Sequence, residues 1–412
     1  MLKWVCSRRA RARWTSVAVC VMAALFAFPA SGSHAAALSA KAAVQALPSP
    51  PGNSARAAAL ADVVSGRILF NERGDERMKI ASLTKIMTAI VAIEHANLDG
   101  TLKVSDKASK MEGSSIYLKA GERMKLRNAL YGLMLRSGND AATAIAEHVG
   151  GSVEGFVFLM NKKAEEIGLS NSHFMNPSGL DEQGHYSSAN DLAKLTVYAL
   201  RNPTFKQIVA TKVKKAPNPH DNWDYEWVNK NKMLNMYDGA DGVKTGYTKQ
   251  ALRTLVSSAT REGQQLVAVT LNDRDDWIDH RRLLDYGFAN YPLETVAESG
   301  QTVNGYPYKV AGKFVYPFAK GERERLELRL APLIEGTADF KLGYRGQIRF
   351  VLDGKRIGSV PLVEAAPAAG AEAEGSSGDA ASRMMPATAT AGRSFAESFR
   401  TAVKALFLPG GG

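Results

Sequence analysis

Residues 242–271 read GVKTGYTKQALRTLVSSATREGQQLVAVTL. Three strand-like runs follow one another here, 242–248, 254–259 and 265–271, the last two joined across a turn containing Gly263. Connections this short return the chain antiparallel, because a parallel crossover needs a dozen residues or more. The next segment, 275–288, has helical character. Upstream, 58–64 and 67–71 flank Ser65-Gly66 as two short strands about a tight turn. Residues 81–96 (ASLTKIMTAIVAIEHA) then place apolar side chains at helical spacing, with a serine near the start. Further helical stretches are expected at 126–135, 141–149 and 153–167, and Asn176-Pro177-Ser178-Gly179 is a turn cluster. Helices thus precede and follow the strands. The expected fold is α/β in content and α+β in type, an antiparallel sheet covered by helices contributed from both sides of it in sequence.

Beyond about residue 291 the pattern changes to plain alternation at 313–316, 325–330, 347–352 and 356–362. Asp353-Gly354 sits between the last two runs, a strong hairpin signal. A small all-β, β-sandwich-like domain is expected at 293–363. Residues 364–393 are Ala, Gly, Ser, Pro and Thr with few charges and read as a flexible linker. The tail at 394–412 contains SFAESFRTAVKALFL, in which Phe395, Phe399, Val403 and Leu406 share one helical face and Glu397, Arg400 and Lys404 the opposite one. It is too polar to span a bilayer and suits lying in the membrane interface.

The other end of the chain is equally distinctive. Lys3, Arg8, Arg9, Arg11 and Arg13 form a basic stretch, no acidic residue precedes Asp62, and 16–28 is an apolar run followed by small residues. Residues 1–37 read as a secretory signal peptide, with cleavage fitting either Ser33-His34-Ala35 or Ala35-Ala36-Ala37. Residues 38–54 would be a loose N-terminal segment. The whole chain has 412 residues, a formal charge of +11 and two cysteines, Cys6 and Cys20. Removing five basic leader residues leaves 47 basic against 41 acidic side chains, a net +6, and no cysteine. Disulfide frameworks, thiol chemistry and a nucleic-acid footprint are therefore excluded from the mature protein. With 45% hydrophobic and 23% charged residues, the chain is no disordered or collagen-like polymer either.

Chemistry enters at Ser82-Leu83-Thr84-Lys85. Positions i and i+3 of a helix share a face, so the Ser82 hydroxyl and the Lys85 amine can meet. A serine becomes a nucleophile beside a base, and an unprotonated lysine can serve. Alone the spacing is a weak signal. Two other triplets accompany it: Ser137-Gly138-Asn139 after a helical run, and Lys244-Thr245-Gly246 opening the first of the three strands. A second Ser-x-Asn, Ser188-Ala189-Asn190, also reads as a loop preceding a helix near Asp191. The seven histidines are scattered, and no His-Glu-x-x-His occurs, so neither a metal nor any other cofactor is expected. His185 reads as a loop residue rather than a ligand. No Gly-rich phosphate loop precedes a helix.

Ser-x-x-Lys, Ser-x-Asn and Lys-Thr-Gly in this order resemble the penicillin-binding proteins and class A β-lactamases. More narrowly, the chain resembles the serine D-Ala-D-Ala carboxypeptidases, low-molecular-mass penicillin-binding proteins of the peptidase S11 type. Gly113-Ser114-Ser115, 130–134 (LYGLM), 139–142 (NDAA), 174–180 (FMNPSGL) and 241–248 (DGVKTGYT) all look like blocks of that family. The resemblance covers about 55–290, taken as a catalytic domain at 55–292, and weakens in the β domain. The stretch 269–288 is most similar to Gram-positive, Bacillus-type members. The family pattern places the middle motif at Ser137, 55 residues after Ser82 and at a helix end, rather than at Ser188.

The resemblance implies a role for each residue. Ser82 would attack the carbonyl between the last two D-alanines of a peptidoglycan stem pentapeptide, giving an acyl-enzyme and free D-alanine. Lys85 would take the serine proton, its pKa lowered by partial burial and by cationic Lys244. Ser137 would relay a proton to the leaving amine, and Asn139 would orient Lys85 and the substrate amide. Lys244 and Thr245 would bind the terminal carboxylate, and Gly246 would let substrate backbone lie close along the strand edge. Backbone N–H groups of Ser82 and Tyr247 would form the oxyanion hole. β-Lactam antibiotics would inhibit. The implied location is extracytoplasmic, peripheral on the outer face of the cytoplasmic membrane. Two alternatives are a β-lactamase and a non-catalytic β-lactam receptor. Class A β-lactamases are shorter and carry a deacylating Glu for which no context is found here; a receptor needs a transmembrane segment that the mature sequence lacks.

Overall fold

The computed structural model describes residues 48–365. The expected leader (1–37), nearly all of the linker (364–393) and the C-terminal amphipathic segment (394–412) lie outside the described residues. Five strands form one antiparallel sheet in the order Ile68–Glu72, Ala57–Asp62, Gln264–Leu271, Leu252–Arg261, Ala240–Thr248. The three runs of 242–271 are thus consecutive neighbours, and Ala240–Thr248 is an edge strand.

Strand Gln264–Leu271 is buried along its whole length because both faces of the sheet are covered. Side chains alternate across a strand. Val267, Val269 and Leu271 join Ala57, Ala59 and Ala61 in the larger core, with helices Lys85–His95, Asn139–Gly150 and Ala189–Leu200. On the other face, Leu266 and Ala268 join Ala58 and Leu60 against Leu283 and Leu284 of helix Asp276–Asn290. Helix Lys85–His95 is buried all round from Lys85 to Ala92, as an apolar run without a polar face requires.

Two helices differ from the sequence expectation at their ends. The segment expected as one helix from 81 begins instead as a 3₁₀ turn, Ala81–Thr84, that feeds the α-helix. With three residues per turn, positions i and i+3 eclipse, and Ser82 and Lys85 are such a pair. The run expected at 126–135 is α-helical over Leu126–Tyr131 and π-helical over Gly132–Arg136. A Cβ on Gly132 would collide with Ile116. The wide turn ends in Ser137, whose backbone is left-handed at φ 67°.

Residues after Pro292 form the C-terminal β domain. Leu293–Ala297 pairs with Phe314–Pro317, and a four-stranded sheet runs in the order Tyr308–Val310, Lys355–Glu364, Tyr344–Leu352, Leu326–Pro332. Asp353 and Gly354 both adopt positive φ, 49° and 78°, the tight hairpin geometry their sequence predicts. Phe314 of the small sheet stacks on Phe350 of the large one, centroids 4.3 Å apart. Arg67, at the start of the sheet's outer strand, crosses to this domain. Its guanidinium donates to both carboxylate oxygens of Glu322 at 2.6 Å and to the Pro317 carbonyl at 2.7 Å.

Candidate active site

The 3₁₀ turn, the π-turn and the edge strand meet at one cleft of about 500 Å³. Ser82, Ser137, Thr245, Gly246 and Tyr247 line it, with Lys85, Asn139 and Lys244 buried behind them. The structure therefore brings all eight expected residues together.

Lys85 is 0% exposed. Its Nζ lies 2.7 Å from Asn139 Oδ1, 2.6 Å from the Ser178 carbonyl and 3.1 Å from Ser82 Oγ. Asn139 is oriented by its other end, because Nδ2 donates to the Glu112 carbonyl at 2.7 Å and only the oxygen can then face Lys85. Burial, and then the charges of Lys244 and Lys230, hold the Lys85 pKa well below its ordinary value, against a smaller opposing pull from Asp140. A neutral amine has two N–H bonds and one lone pair. In that state the two carbonyl-type acceptors would take both N–H bonds and leave the lone pair for the Ser82 hydroxyl. Sequence reasoning gave this lowering to Lys244 and partial burial; the burial is complete and is the largest cause.

The loop carrying Ser178 is fastened to the turn that carries Ser82 and to the helix that follows it. The Pro177 carbonyl accepts from Thr88 Oγ1 at 2.7 Å. A Cβ on Gly179, at φ 84°, would run into the Ala81 carbonyl. His185 is a buried loop residue, as expected. Met175 N–H donates to its Nδ1 at 3.1 Å, which puts the ring proton on Nε2, 2.8 Å from Thr84 Oγ1. Burial, with the charge of Lys79 next, pushes the ring pKa down to about 4, so this bond is made by the neutral tautomer.

Lys244 is 1% exposed and donates to the Thr245 carbonyl at 2.9 Å. Burial, then the charge of Lys230, lowers it to about 7. Ser137 is 3% exposed, and its Oγ has no hydrogen-bond partner. For Gly246 the structure adds a reason to the one expected: a Cβ there would collide with Thr254 Oγ1 and lie 3.1 Å from Ser82 N. The missing side chain lets the edge strand press against the turn that carries Ser82.

Sequence reasoning missed several groups. Lys230 lines the cleft and donates to Ser114 Oγ at 3.2 Å, and its charge depresses both buried lysines. Arg253, Asp276 and Trp277 also line the cleft, Arg253 paired with Asp276. Residues 229–233 (NKNKM) carry no spacing that singles out Lys230. The competing triplet is structural: Ser188 caps helix Ala189–Leu200 by accepting from Asp191 N, and Asn190 Nδ2 donates to Asp75 at 3.0 Å.

The sequence profile of the D-alanyl-D-alanine carboxypeptidases, peptidase S11, matches residues 44–275, more than half of the chain. The chain belongs to that family. The D-alanyl-D-alanine carboxypeptidase DacF of Bacillus subtilis is 38% identical over 264 residues, 61% of this chain and 66% of that protein, so the chain spans just under two thirds of that relative. DacA of Haemophilus influenzae is 31% identical, covering 76% of this chain and 85% of that one. Among solved structures, penicillin binding protein 5 of Haemophilus influenzae superposes with a TM-score of 0.64 at 28% identity, over 77% of this chain and 98% of that chain. The Streptomyces K15 DD-transpeptidase follows at 0.56 and 32%, covering 59% and 100%. The family takes its description from D-alanyl-D-alanine carboxypeptidase activity, and one of its solved relatives is named a penicillin binding protein.

Proposed function

We propose that this chain removes the terminal D-alanine from peptidoglycan stem pentapeptides through a Ser82 acyl-enzyme. The observation that carries the reading is the buried Lys85 Nζ, 3.1 Å from Ser82 Oγ and fixed there by two carbonyl acceptors. Ser82 Oγ attacks the penultimate carbonyl while its proton passes to Lys85. The oxyanion is met by the N–H groups of Ser82 and Tyr247. Ser137, whose hydroxyl has no other partner, relays the proton from Lys85 to the departing D-alanine nitrogen as the C–N bond breaks, so that Ser137 keeps its hydroxyl and Lys85 is neutral again. The substrate carboxylate lies on Lys244 and Thr245, where it supplies the counter-charge Lys244 lacks. Water then attacks the ester and restores the serine.

The test is direct. Ser82→Ala should abolish D-alanine release from a pentapeptide ending in D-Ala-D-Ala and remove covalent labelling by a fluorescent penicillin. Persistent labelling would place the nucleophile elsewhere. A rapidly hydrolysed penicillin adduct with no D-alanine release would mark a β-lactamase.

The domain plan belongs to the same proposal. Residues 1–37 direct export, 55–292 carry the chemistry, 293–363 form the β domain, and 394–412 hold the enzyme at the membrane surface after a linker. Among the described residues no helix is long and apolar enough to cross a membrane. The sided tail, Phe395, Phe399, Val403 and Leu406 against Glu397, Arg400 and Lys404, supports interfacial attachment. Truncation after Arg393 should move the enzyme from the membrane fraction to the soluble one; unchanged sedimentation with membranes would refute the anchor.

A further inference from the structure

Beside the catalytic cleft lies a second groove of about 490 Å³. The same three chain segments line both, one or two residues apart: Ser114 faces the cleft and Ser115 the groove, then Ser137 and Arg136, then Lys230 and Val228. The groove therefore continues the cleft on the side of Ser114, Ser137 and Lys230. Two aromatic side chains in its lining stand open to solvent, Tyr117 at 82% exposure and Trp223 at 68%. Behind them Tyr225 stacks on Trp227, centroids 5.5 Å apart.

Tyr117 is held against its own preference. Its backbone is left-handed, φ 64°, an outlier for a bulky aromatic residue. The loop is pinned from beneath: Asp140 accepts from Ile116 N, from Leu118 N at 3.0 Å and from Ser115 Oγ at 2.6 Å, while Ser115 Oγ accepts from Tyr117 N at 2.8 Å. A strained residue that its neighbours over-determine, whose ring makes no use of the core, points to a use outside it.

The ligand follows from the chemistry of the rings and from what enters the cleft. Tyr and Trp offer flat apolar faces with polar tips, and a pyranose offers C–H faces with polar edges that Asn218, Arg136 and Glu226 in the groove can meet. On the carboxypeptidase reading, the peptide ahead of the scissile bond is attached to an amino-sugar strand about four residues back, roughly 13 Å of extended chain. A groove that continues the cleft offers a place for that sugar. We infer that this groove is a glycan subsite, in which N-acetylated amino-sugar rings of the strand bearing the stem peptide stack on Trp223 and Tyr117.

The experiment compares the full chain with Trp223→Ala and Tyr117→Gly, the latter relieving the left-handed strain so that loss of a ring is not loss of the fold. D-Alanine release is measured from a bare pentapeptide and from the same pentapeptide on its disaccharide, and an N-acetylglucosamine tetramer is titrated by calorimetry. Expected are a kcat/KM about tenfold higher for the disaccharide substrate, the advantage erased in both variants with the bare-peptide rate and penicillin acylation intact, and heat of tetramer binding in the parent alone. Equal rates on the two substrates together with no binding heat overturn the proposal. So do variants that alter only the response to the third stem residue, which would make the groove a peptide side-chain subsite. Should neither substrate be cleaved, the carboxypeptidase reading fails, and tetramer binding still decides the glycan subsite.

Discussion

Charge is buried in two parts of this molecule on opposite terms. At the seam with the β domain, Arg67 is held by both oxygens of Glu322 and lies 5.2 Å from the ring centroids of Tyr291 and of Tyr316. Burial is the largest single influence on Arg67 and opposes its charge, but the Glu322 hydrogen bond and the electrostatic pull of Tyr316, Glu322 and Tyr291 together exceed it, and the pKa rises. Burial is likewise the largest single influence on Glu322, but the hydrogen bonds from Arg67 and Ala319 N–H and the charges of Arg67 and Arg325 together exceed it, so that pKa falls. In the cleft, Lys85 and Lys244 are more deeply buried, yet their hydrogen-bond partners are a hydroxyl, an amide and backbone carbonyls. Both pKa values fall. The seam carries its own counter-charge. The cleft leaves one out, and on the proposed function a substrate carboxylate would complete it.

The contrast can be broken most forcefully at Lys244. Lys244→Met should lower kcat/KM for the pentapeptide about 10²- to 10³-fold while leaving the unfolding midpoint unchanged or higher, since a buried unpaired cation is removed. A marked loss of stability would put Lys244 on the same footing as Arg67. The sign with pH follows from the two lysines. On the proposed mechanism Lys85 works when neutral, so activity should be gained as pH rises through its depressed pKa. Lys244 binds when cationic, so kcat/KM should fall as pH rises above about 7. Lys244→Arg, which does not deprotonate, should abolish that falling limb.

Arg67→Met is the converse case. It should cost about 2–4 kcal/mol of stability, because Glu322 is left mostly buried without its partner, and denaturant titration would show it. Activity per folded enzyme should be unchanged, and adding Glu322→Gln should recover part of the loss. A drop in kcat would tie the seam to the cleft. The smallest effect separates the two Ser-x-Asn triplets. Ser188→Ala removes a helix cap and should cost about 1 kcal/mol with penicillin acylation unaltered, whereas Ser137→Ala should slow turnover with little loss of stability. Slowed acylation in Ser188→Ala would reverse that assignment.

Much of the fold was legible because its signals are local. The strands at 240–271 and the Asp353-Gly354 hairpin declare themselves through alternation and turn chemistry. Helix Val153–Ile167 matches its expected bounds. Strand Tyr308–Val310, three residues long, has too little pattern to stand out. The 3₁₀ start at Ala81 and the π-turn at Gly132 are set by neighbours distant in sequence, the Gly179 loop and Ile116. Lys230 escaped notice for a related reason. Its effect on Lys85 is through space, and spacing along the chain does not encode it.

By itself the sequence determined which chemical groups are present, that Ser82 and Lys85 share a helical face, and that the strands around Lys244 return antiparallel. Those are properties of side-chain identity and of short-range periodicity. Tertiary structure decided how those groups are poised. Full burial and the carbonyl of Ser178 fix Lys85 Nζ beside Ser82 Oγ. The clamp of Asp140 holds Tyr117 outward. The π-turn leaves Ser137 Oγ unpartnered. A carbonyl oxygen belongs to every residue alike, and desolvation depends on what covers a group, so neither can be read until the chain has closed around the site.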